Sequence, residues 1–341
     1  MHLLISLLNF RPGRIGGTET YLRKLIPELI RRRDGNRVTL LPCREHAVEF
    51  DAAGANVDIV PFDEQSITRA RILESVTPYR ALAIEQRISQ LNADVLLFPQ
   101  QSIFPKRVTG RTVLVIHDLQ YLDNPGNFSL ADRIFRSGIY PYSIRRSDHI
   151  MTVSGCTCSA LHRHYKLARS CVSVVQSGFD EPRITSTDDA VRIPGPYAFY
   201  PAVTLPHKNH LQLLESIAVL RGQNRFPYYL VLSGQKTSHW STLQRTIRQR
   251  KLDNVVHCGF VAYAKVQALY RGAELILFPS LFEGFGLPVM EAVAWSKKIL
   301  VSKLDIFEEL GVPAANQIDF GDPEQLADAI ADTRPTILTK A

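Results

Sequence analysis

A chain of 341 residues with 45% hydrophobic and 21% charged residues has the make-up of a globular protein, which excludes disordered and fibrous classes. Its length suits two domains of roughly 100–200 residues each. The formal charge of +7 divides into +5 over residues 1–195 and +2 over residues 196–341, an excess that suits an anionic partner but is too small to choose among a nucleotide, a nucleic acid and an acidic membrane surface.

Residues 1–10 (MHLLISLLNF) are apolar but short, lack a basic start and run into Arg11-Pro12-Gly13, so they predict a first buried strand rather than a signal peptide. Nowhere do about 18 apolar residues follow one another, so no segment is expected to span a membrane. Strands are predicted over residues 2–9, 37–41, 57–61, 95–98, 112–117 and 149–153. Most are unbroken apolar runs, as in parallel strands buried on both faces. Helical patterns lie between them at 18–32, 66–92 in pieces, 129–146 and 157–165. Around 174–193 the alternation lapses, and Pro182, Asp188, Asp189, Pro194, Gly195 and Pro196 mark a linker.

The expected division is a first domain over 1–185, a linker over 186–195 and a second domain over 196–341. In the second, strands are predicted over 197–200, 228–233, 255–257, 275–278 and 299–302, with helices over 210–221, 241–250, 265–272 and 288–295. The fold class is therefore α/β, two Rossmann-like domains with parallel sheets and an inter-domain cleft, with ligands beyond the carboxyl ends of the strands. Five cysteines, Cys43, Cys156, Cys158, Cys171 and Cys258, contain no Cys-x-x-Cys pair and fit no common zinc pattern, which predicts reduced thiols in a cytoplasmic protein. There is no clustered Asp-x-Asp, so no metal-dependent diphosphate site is expected.

The most informative segment runs from Phe278 to Ala292, FPSLFEGFGLPVMEA. A strand ends, a glycine turn follows, and a helix is entered at Pro288, where proline is tolerated. Free backbone N–H groups and the positive end of the helix dipole face back at such a turn, so phosphate or sugar oxygens are its natural ligands. Glu283 lies in the loop and Glu291 about one turn inside the helix. Two carboxylates beside one anion-binding turn suit hydroxyl recognition on either side of a diphosphate. The plain alternative is a β–turn–α unit with Glu291 in solvent. Gly16 and Gly17, after the first strand, let backbone approach a phosphate closely or simply make a turn. His117 follows another strand and reads equally as a structural histidine.

Glu283 and Glu291, eight residues apart within this string, resemble the signature of retaining glycosyltransferases of family 4, which have the GT-B fold of two facing Rossmann-like domains. The resemblance implies that Glu291 holds the nucleotide ribose hydroxyls and that Glu283 meets hydroxyls of the transferred sugar. Gly284 and the backbone amides of Phe285, Gly286 and Leu287 would bind the sugar and diphosphate. Gly16 and Gly17 resemble the family loop that closes over the donor diphosphate. His117 resembles the histidine that contacts the donor sugar, with Asp118 and Tyr121 on the acceptor side, and Val153-Ser154 resembles a segment near the cleft floor. Lys208 would meet the diphosphate with a compact donating charge. The family's arginine about five residues before that lysine has no counterpart, and His207 stands beside Lys208 instead. Gly259, Phe260 and Val261 resemble the loop that meets the nucleobase with main-chain groups.

The Pro206-His207-Lys208-Asn209 form is similar to mannosyltransferase-like members. It implies a donor nucleotide sugar, GDP-mannose first or else a UDP-sugar, with no further cofactor and no metal. The activity implied is that of a retaining, metal-independent hexosyltransferase acting on a saccharide or lipid-linked saccharide in polysaccharide or glycolipid synthesis, with no nucleic-acid partner. Residues 21–33 (YLRKLIPELIRRR), with Arg133, Arg136, Arg145 and Arg146, suggest an anionic membrane surface as a further partner, hence a cytoplasmic protein peripheral at the inner face of the cell membrane. The plain alternative is a set of surface helices with their arginines in solvent. Other readings are a hydrolase, phosphorylase or epimerase on the same fold, or a non-catalytic sugar-nucleotide-binding subunit. An NAD(P)-dependent oxidoreductase is disfavoured, because no Gly-x-Gly-x-x-Gly with an acidic residue about 20 on follows the first strand. Family members usually end with a helix that crosses back onto the first domain. After Gly321 the chain runs only to Ala341, with Pro335 near its end, so that helix is expected to be missing.

Overall fold

The computed structural model of the chain describes residues 1–13, 16–32, 34–53, 57–77, 80–178, 192–331 and 335–338. The chain divides into two compact units, Met1–Gly178 and Phe179–Ala341. Residues 186–191 of the expected linker lie outside the described residues.

Unit 1 contains strands β1 (His2–Leu7), β2 (Arg37–Pro42), β3 (Val57–Ile59), β4 (Val95–Phe98), β5 (Arg111–Ile116), β6 (His149–Thr152) and β7 (Val172–Val174). They form one parallel sheet in the order β3-β2-β1-β4-β5-β6-β7. β1 pairs with β2 from His2↔Arg37 to Leu7↔Pro42, and with β4 on its other side. An interior strand with both edges paired and most side chains buried explains why residues 1–10 show no polar alternation. The connecting helices are α1 (Gly17–Arg31), α2 (Glu64–Val76), α3 (Leu82–Ser89), α4 (Gln120–Asp123), α5 (Leu130–Arg146) and α6 (Gly155–Tyr165). Asp63, Ser129 and Ser154 start α2, α5 and α6, each side chain accepting a backbone N–H of the first turn. Leu4, Leu96, Leu114, Ile116, Ile150 and Leu161 pack in one core cluster.

Unit 2 repeats the plan with β8 (Tyr197–Pro201), β9 (Tyr229–Ser233), β10 (Val255–His257), β11 (Leu275–Phe278), β12 (Lys298–Ser302) and β13 (Gln317–Ile318). The order is β10-β9-β8-β11-β12-β13, again parallel. Its helices are α7 (His210–Gly222), α8 (Trp240–Gln249), α9 (Tyr263–Gly272), α10 (Leu287–Ala294), α11 (Asp305–Glu309) and α12 (Pro323–Ala331). In each sheet the order reverses at the first strand, β1 or β8, and the loops that leave the carboxyl ends there part in opposite directions. That divergence opens a ligand crevice in doubly wound sheets.

Two glycines are required by close approach. Gly234, after β9, has φ +134° and a Cβ there would lie 2.5 Å from the carbonyl oxygen of Ala202, so the loops after β8 and β9 run against each other. Gly286, which starts α10, has φ +100° and leaves only 3.1 Å between a would-be Cβ and the Phe307 ring. Among the described residues no helix is long and apolar enough to cross a membrane.

Candidate active site

A polar cluster of unit 2 joins the loop after β8 to the loop after β11. Three contacts hold the two loops together. The Leu281 N–H donates to the His207 carbonyl at 2.8 Å. The buried Tyr200 hydroxyl donates to the Lys208 carbonyl at 2.7 Å and lies 3.2 Å from Ser280 Oγ. Lys208 Nζ meets Glu283 Oε1 at 2.5 Å. Burial holds the Tyr200 phenol far above its usual pKa, so it remains a donor at every working pH.

The Lys208 and Glu283 side chains are 16% and 11% exposed, so their ion pair is largely withdrawn from water and charge-assisted. A ligand carrying both phosphate and hydroxyl groups can engage each member separately, the ammonium toward phosphate and the carboxylate toward hydroxyls. His207 is pulled down to about 4, first by burial and then by the Lys208 charge. It is therefore an uncharged imidazole at neutral pH and supplies no cation in place of the family's arginine.

The helix after the glycine turn starts at Leu287, one residue before the expected Pro288. Val289 N–H closes on the Gly286 carbonyl at 2.9 Å and Pro288 has no N–H, so the amides of Phe285, Gly286 and Leu287 are those the turn can present to an anion. Glu291 does not face solvent. It is 9% exposed and accepts the Tyr263 hydroxyl at 3.1 Å. Tyr270, buried beneath it, donates to the Pro288 carbonyl at 3.1 Å. The loop carrying Gly259, Phe260 and Val261 leads directly into Tyr263. Gly259 N–H donates to His257 Nδ1 at 2.9 Å, and its carbonyl accepts the Gly234 N–H at 2.9 Å. Glu283, Lys208 and the α10 start thus form one group, while Glu291 and the 259–261 loop are linked through Tyr263.

In unit 1, His117 stands at the end of β5. Its Nε2 donates to the Pro99 carbonyl at 2.8 Å, and its ring meets Tyr21 edge-on at 5.0 Å. Burial lowers its pKa, so the ring is neutral with its proton on Nε2 and a lone pair on Nδ1. The Asp118 carboxylate accepts the Gln120 N–H at 3.0 Å at the start of the short α4. Tyr121 turns inward. It is 3% exposed, packs edge-on against Tyr140, and pairs its hydroxyl with Tyr165, because its side chain turns into the core cluster. Ser154 serves as the α6 cap. Gly16 starts α1 with φ 52°, open space around it, and Glu19 accepting the Gly13 N–H at 2.6 Å. Residues 14 and 15 of the same loop lie outside the described residues.

Sequence reasoning passed over Tyr200, Tyr263, Gly234, Lys236, Trp240 and His257. The serine–glycine pair at 233–234, directly after an apolar strand, is the signal that could have found the middle of that set. It also passed over Asn9, Gln100 and Gln120, which follow β1, β4 and β5 and each hold a buried amide atom with no hydrogen-bond partner. Among the described residues, no three His, Cys, Asp or Glu side chains are grouped to hold a metal ion, and all five cysteines are free thiols.

Two parallel α/β units with polar loops at the point where strand order reverses define a GT-B protein. The chain belongs to the family 4, or group 1, glycosyltransferases: the model for "Glycosyltransferase Family 4" matches residues 15–183 and that for "Glycosyl transferases group 1" matches residues 190–333. Among curated relatives, O-antigen chain mannosyltransferase RfbU of Salmonella typhimurium is 23% identical over 64% of this chain and 62% of its own length. O-antigen chain mannosyltransferase B of Escherichia coli is 30% identical over 33% of this chain and 30% of its own. The chain therefore spans less than two thirds of either relative. Among solved structures, HepE of Anabaena in complex with UDP-glucose shares the fold with a TM-score of 0.71 and 19% identity, over 97% of this chain and 89% of that one. WaaG, a glycosyltransferase involved in lipopolysaccharide biosynthesis, aligns over 97% of this chain and 91% of its own with a TM-score of 0.61 and 14% identity.

Proposed function

We propose that the protein is a retaining hexosyltransferase that transfers mannose from GDP-mannose to a saccharide or lipid-linked saccharide acceptor. The observation that carries this reading is the shielded Lys208–Glu283 pair beside the Gly286 helix start. In that reading Lys208 and the amides of 285–287 take the diphosphate, Glu283 takes hydroxyls of the transferred sugar, and Glu291 takes the ribose hydroxyls. Gly16 and Gly17 serve the diphosphate as well, and the His117 Nδ1 lone pair accepts a hydroxyl of the donor sugar.

Departure of the leaving group builds an oxocarbenium-like centre and an extra charge on the diphosphate. The protein's contribution is then positioning and electrostatic stabilisation. No side chain is assigned as a dedicated base; a front-face reaction, in which a donor phosphate oxygen takes the acceptor proton, fits that assignment. The mannosyl assignment draws on the RfbU and mannosyltransferase B relatives. We also propose that transfer needs no metal, and that the protein works in the cytoplasm, peripheral at the inner face of the cell membrane. Ion pairing tempers the membrane part: Arg23 is held by Glu19 and Glu49, and Arg31 and Arg32 share Glu28.

The test is transfer from GDP-mannose, UDP-glucose and ADP-glucose to a lipid-linked saccharide, with product anomer read by NMR. Retained anomeric configuration from GDP-mannose supports the reading, and donor cleavage without acceptor points to a hydrolase. EDTA is expected to leave the rate unchanged; a loss restored by Mn²⁺ overturns metal independence. Sedimentation with anionic liposomes at low and physiological salt tests the membrane partner, and no binding at either salt removes it.

A further inference from the structure

At the nucleobase end of the proposed donor site, charged and aromatic side chains stand beside the main-chain loop. If Glu291 holds the ribose, the base leaves that ribose by a single bond. Tyr263, which donates to Glu291, is the first residue of α9, and the loop before it presents Phe260 with 68% of its surface exposed. A large apolar ring so open to solvent, three residues before the tyrosine that bonds Glu291, offers a stacking face for a flat base.

The Gly234–Gly259 backbone hydrogen bond brings the loop after β9 alongside the Phe260 loop. Two residues on from Gly234, Lys236 holds its ammonium over the Trp240 ring at 4.6 Å. Trp240 in turn packs on His257 at 4.5 Å, and His257 Nδ1 accepts the Gly259 N–H. The ring stack therefore couples an exposed lysine to the turn that carries Phe260. A cation–π contact restrains the chain while leaving the ammonium protons directed outward. Burial, and then the nearby Lys236 charge, lower the His257 pKa to about 4. It stays neutral and keeps the lone pair that fixes Gly259.

We propose that Lys236 is a specificity-determining residue that selects a keto base, guanine before uracil, by donating to the carbonyl oxygen of a base stacked on Phe260, with Trp240 and His257 as its positioning residues. The inference rests on the donor-site reading above and adds to it which base is read and by which side chain. An ammonium is a donor only. Guanine offers it two adjacent acceptors, O6 and N7, and uracil one, O4, whereas adenine places an amino donor where guanine has O6. Adenine keeps N7 but offers one acceptor fewer, and its amino group sets donor against donor, so it is disfavoured by the lost bond at position 6 and by that repulsion.

The experiment is calorimetric titration of the full chain with GDP, IDP, UDP and ADP. IDP keeps O6 and N7 and lacks only the 2-amino group. The expected order is GDP and IDP within about threefold of each other, then UDP, then ADP weaker than GDP by about tenfold or more, the scale of one charged hydrogen bond. Lys236→Met, which keeps an apolar chain over Trp240, is expected to lower GDP and IDP affinity about tenfold while leaving ADP nearly unchanged. Trp240→Leu should shrink the GDP-to-ADP ratio in the same direction, and Phe260→Ala should weaken all four nucleotides together.

Equal binding of all four by the wild type, or an equal loss of all four in Lys236→Met, overturns the base-reading role while leaving the donor site standing. IDP binding like ADP overturns it too, because position 6 would then not be what is read. Absence of binding by every nucleotide up to millimolar concentration overturns both the inference and the donor site on which it rests.

Discussion

At the carboxyl edge of unit 2 a full charge meets a full charge, Lys208 against Glu283, and Tyr200 fastens both loops that carry them. At the carboxyl edge of unit 1 one charged pair, Arg11 with Glu64, lies beyond β1 and β3, and the polar side chains after β1, β4 and β5 are otherwise mostly neutral. His117 is an imidazole held by Pro99, Asn9, Gln100 and Gln120 carry buried amide atoms, and the Asp118 carboxylate accepts the Gln120 backbone N–H. The contrast separates two kinds of recognition. Paired charges that can be exchanged for a ligand's own suit a diphosphate, whereas uncharged donors and acceptors suit sugar hydroxyls. It also shows that net charge was a poor guide. The larger positive excess belongs to the first half, yet several of its arginines are neutralised by glutamates on and around α1.

The sharpest way to break this contrast is to remove one member from each edge. Glu283→Ala is expected to lower transfer by about 10²–10³-fold or more while the fold stays intact by circular dichroism. His117→Ala, which removes one neutral acceptor, should cost the turnover number only about tenfold, the scale of one uncharged hydrogen bond. Comparable losses in the two variants, or near-normal turnover in Glu283→Ala, would remove the distinction between a charge-handling and a hydroxyl-handling edge.

A second comparison lies within unit 2, between the carboxylate that meets Lys208 and the one that accepts the Tyr263 hydroxyl. Glu291→Gln keeps an acceptor for the Tyr263 hydroxyl but loses the charge that would hold two ribose hydroxyls. Donor affinity measured by calorimetry should fall about 10–100-fold, a charged hydrogen bond's contribution, with turnover at saturating donor little changed. A change in turnover alone would place Glu291 with the reacting sugar instead.

Tyr200→Phe acts at one remove. It leaves the Lys208 carbonyl and the Ser280 hydroxyl without their shared partner, at a cost of about 1–3 kcal/mol in urea unfolding. Because it loosens both loops, donor affinity should fall with it. A stability loss with unaltered donor affinity would mean that the loops are held in register by the other contacts alone.

These targets differ in how visible they are without coordinates. The turn around Glu283 and Glu291 is one local string after an apolar strand, and parallel strands such as Val95–Phe98 and Leu275–Phe278 read as unbroken apolar runs because both faces are covered. The short edge strands Val172–Val174 and Gln317–Ile318 are too brief to show a period. Pairings between distant positions are equally hidden: Lys208 and Glu283 are 75 residues apart, Tyr263 and Glu291 are 28 apart. Tyr121 shows the same limit from the other side. Its place after His117 suggests an acceptor-side residue and gives no sign of its hydroxyl partner, Tyr165, 44 residues on.

The smallest expected effect concerns acid, and it again sets unit 2 against unit 1. His210 lies beneath Tyr200, with ring centroids 4.6 Å apart and 1% exposure. Burial lowers its pKa to about 3, with the charges of His257, Lys208 and His239 pushing the same way, and His207 and His257 are lowered to about 4. A histidine in the unfolded chain titrates near 6.5, roughly. As pH falls below that value the unfolded chain therefore takes up protons that the folded unit refuses. Their contribution to stability is fully present above pH about 6.5 and is lost progressively down toward pH 3, with a slope of at most about 1.4 kcal/mol per pH unit for each group. His117 acts in the same direction in unit 1, but as a single ring. Both tryptophans, Trp240 and Trp295, lie in unit 2, so tryptophan fluorescence reports that unit while circular dichroism reports both. On acidification in fixed, sub-denaturing urea the fluorescence transition should come at a higher pH than the dichroism transition. His210→Phe, which keeps a ring against Tyr200 and cannot take a proton, should narrow that separation. Coincident transitions in the wild type, or an unchanged separation in the variant, would show that the buried histidines of unit 2 do not set its acid stability.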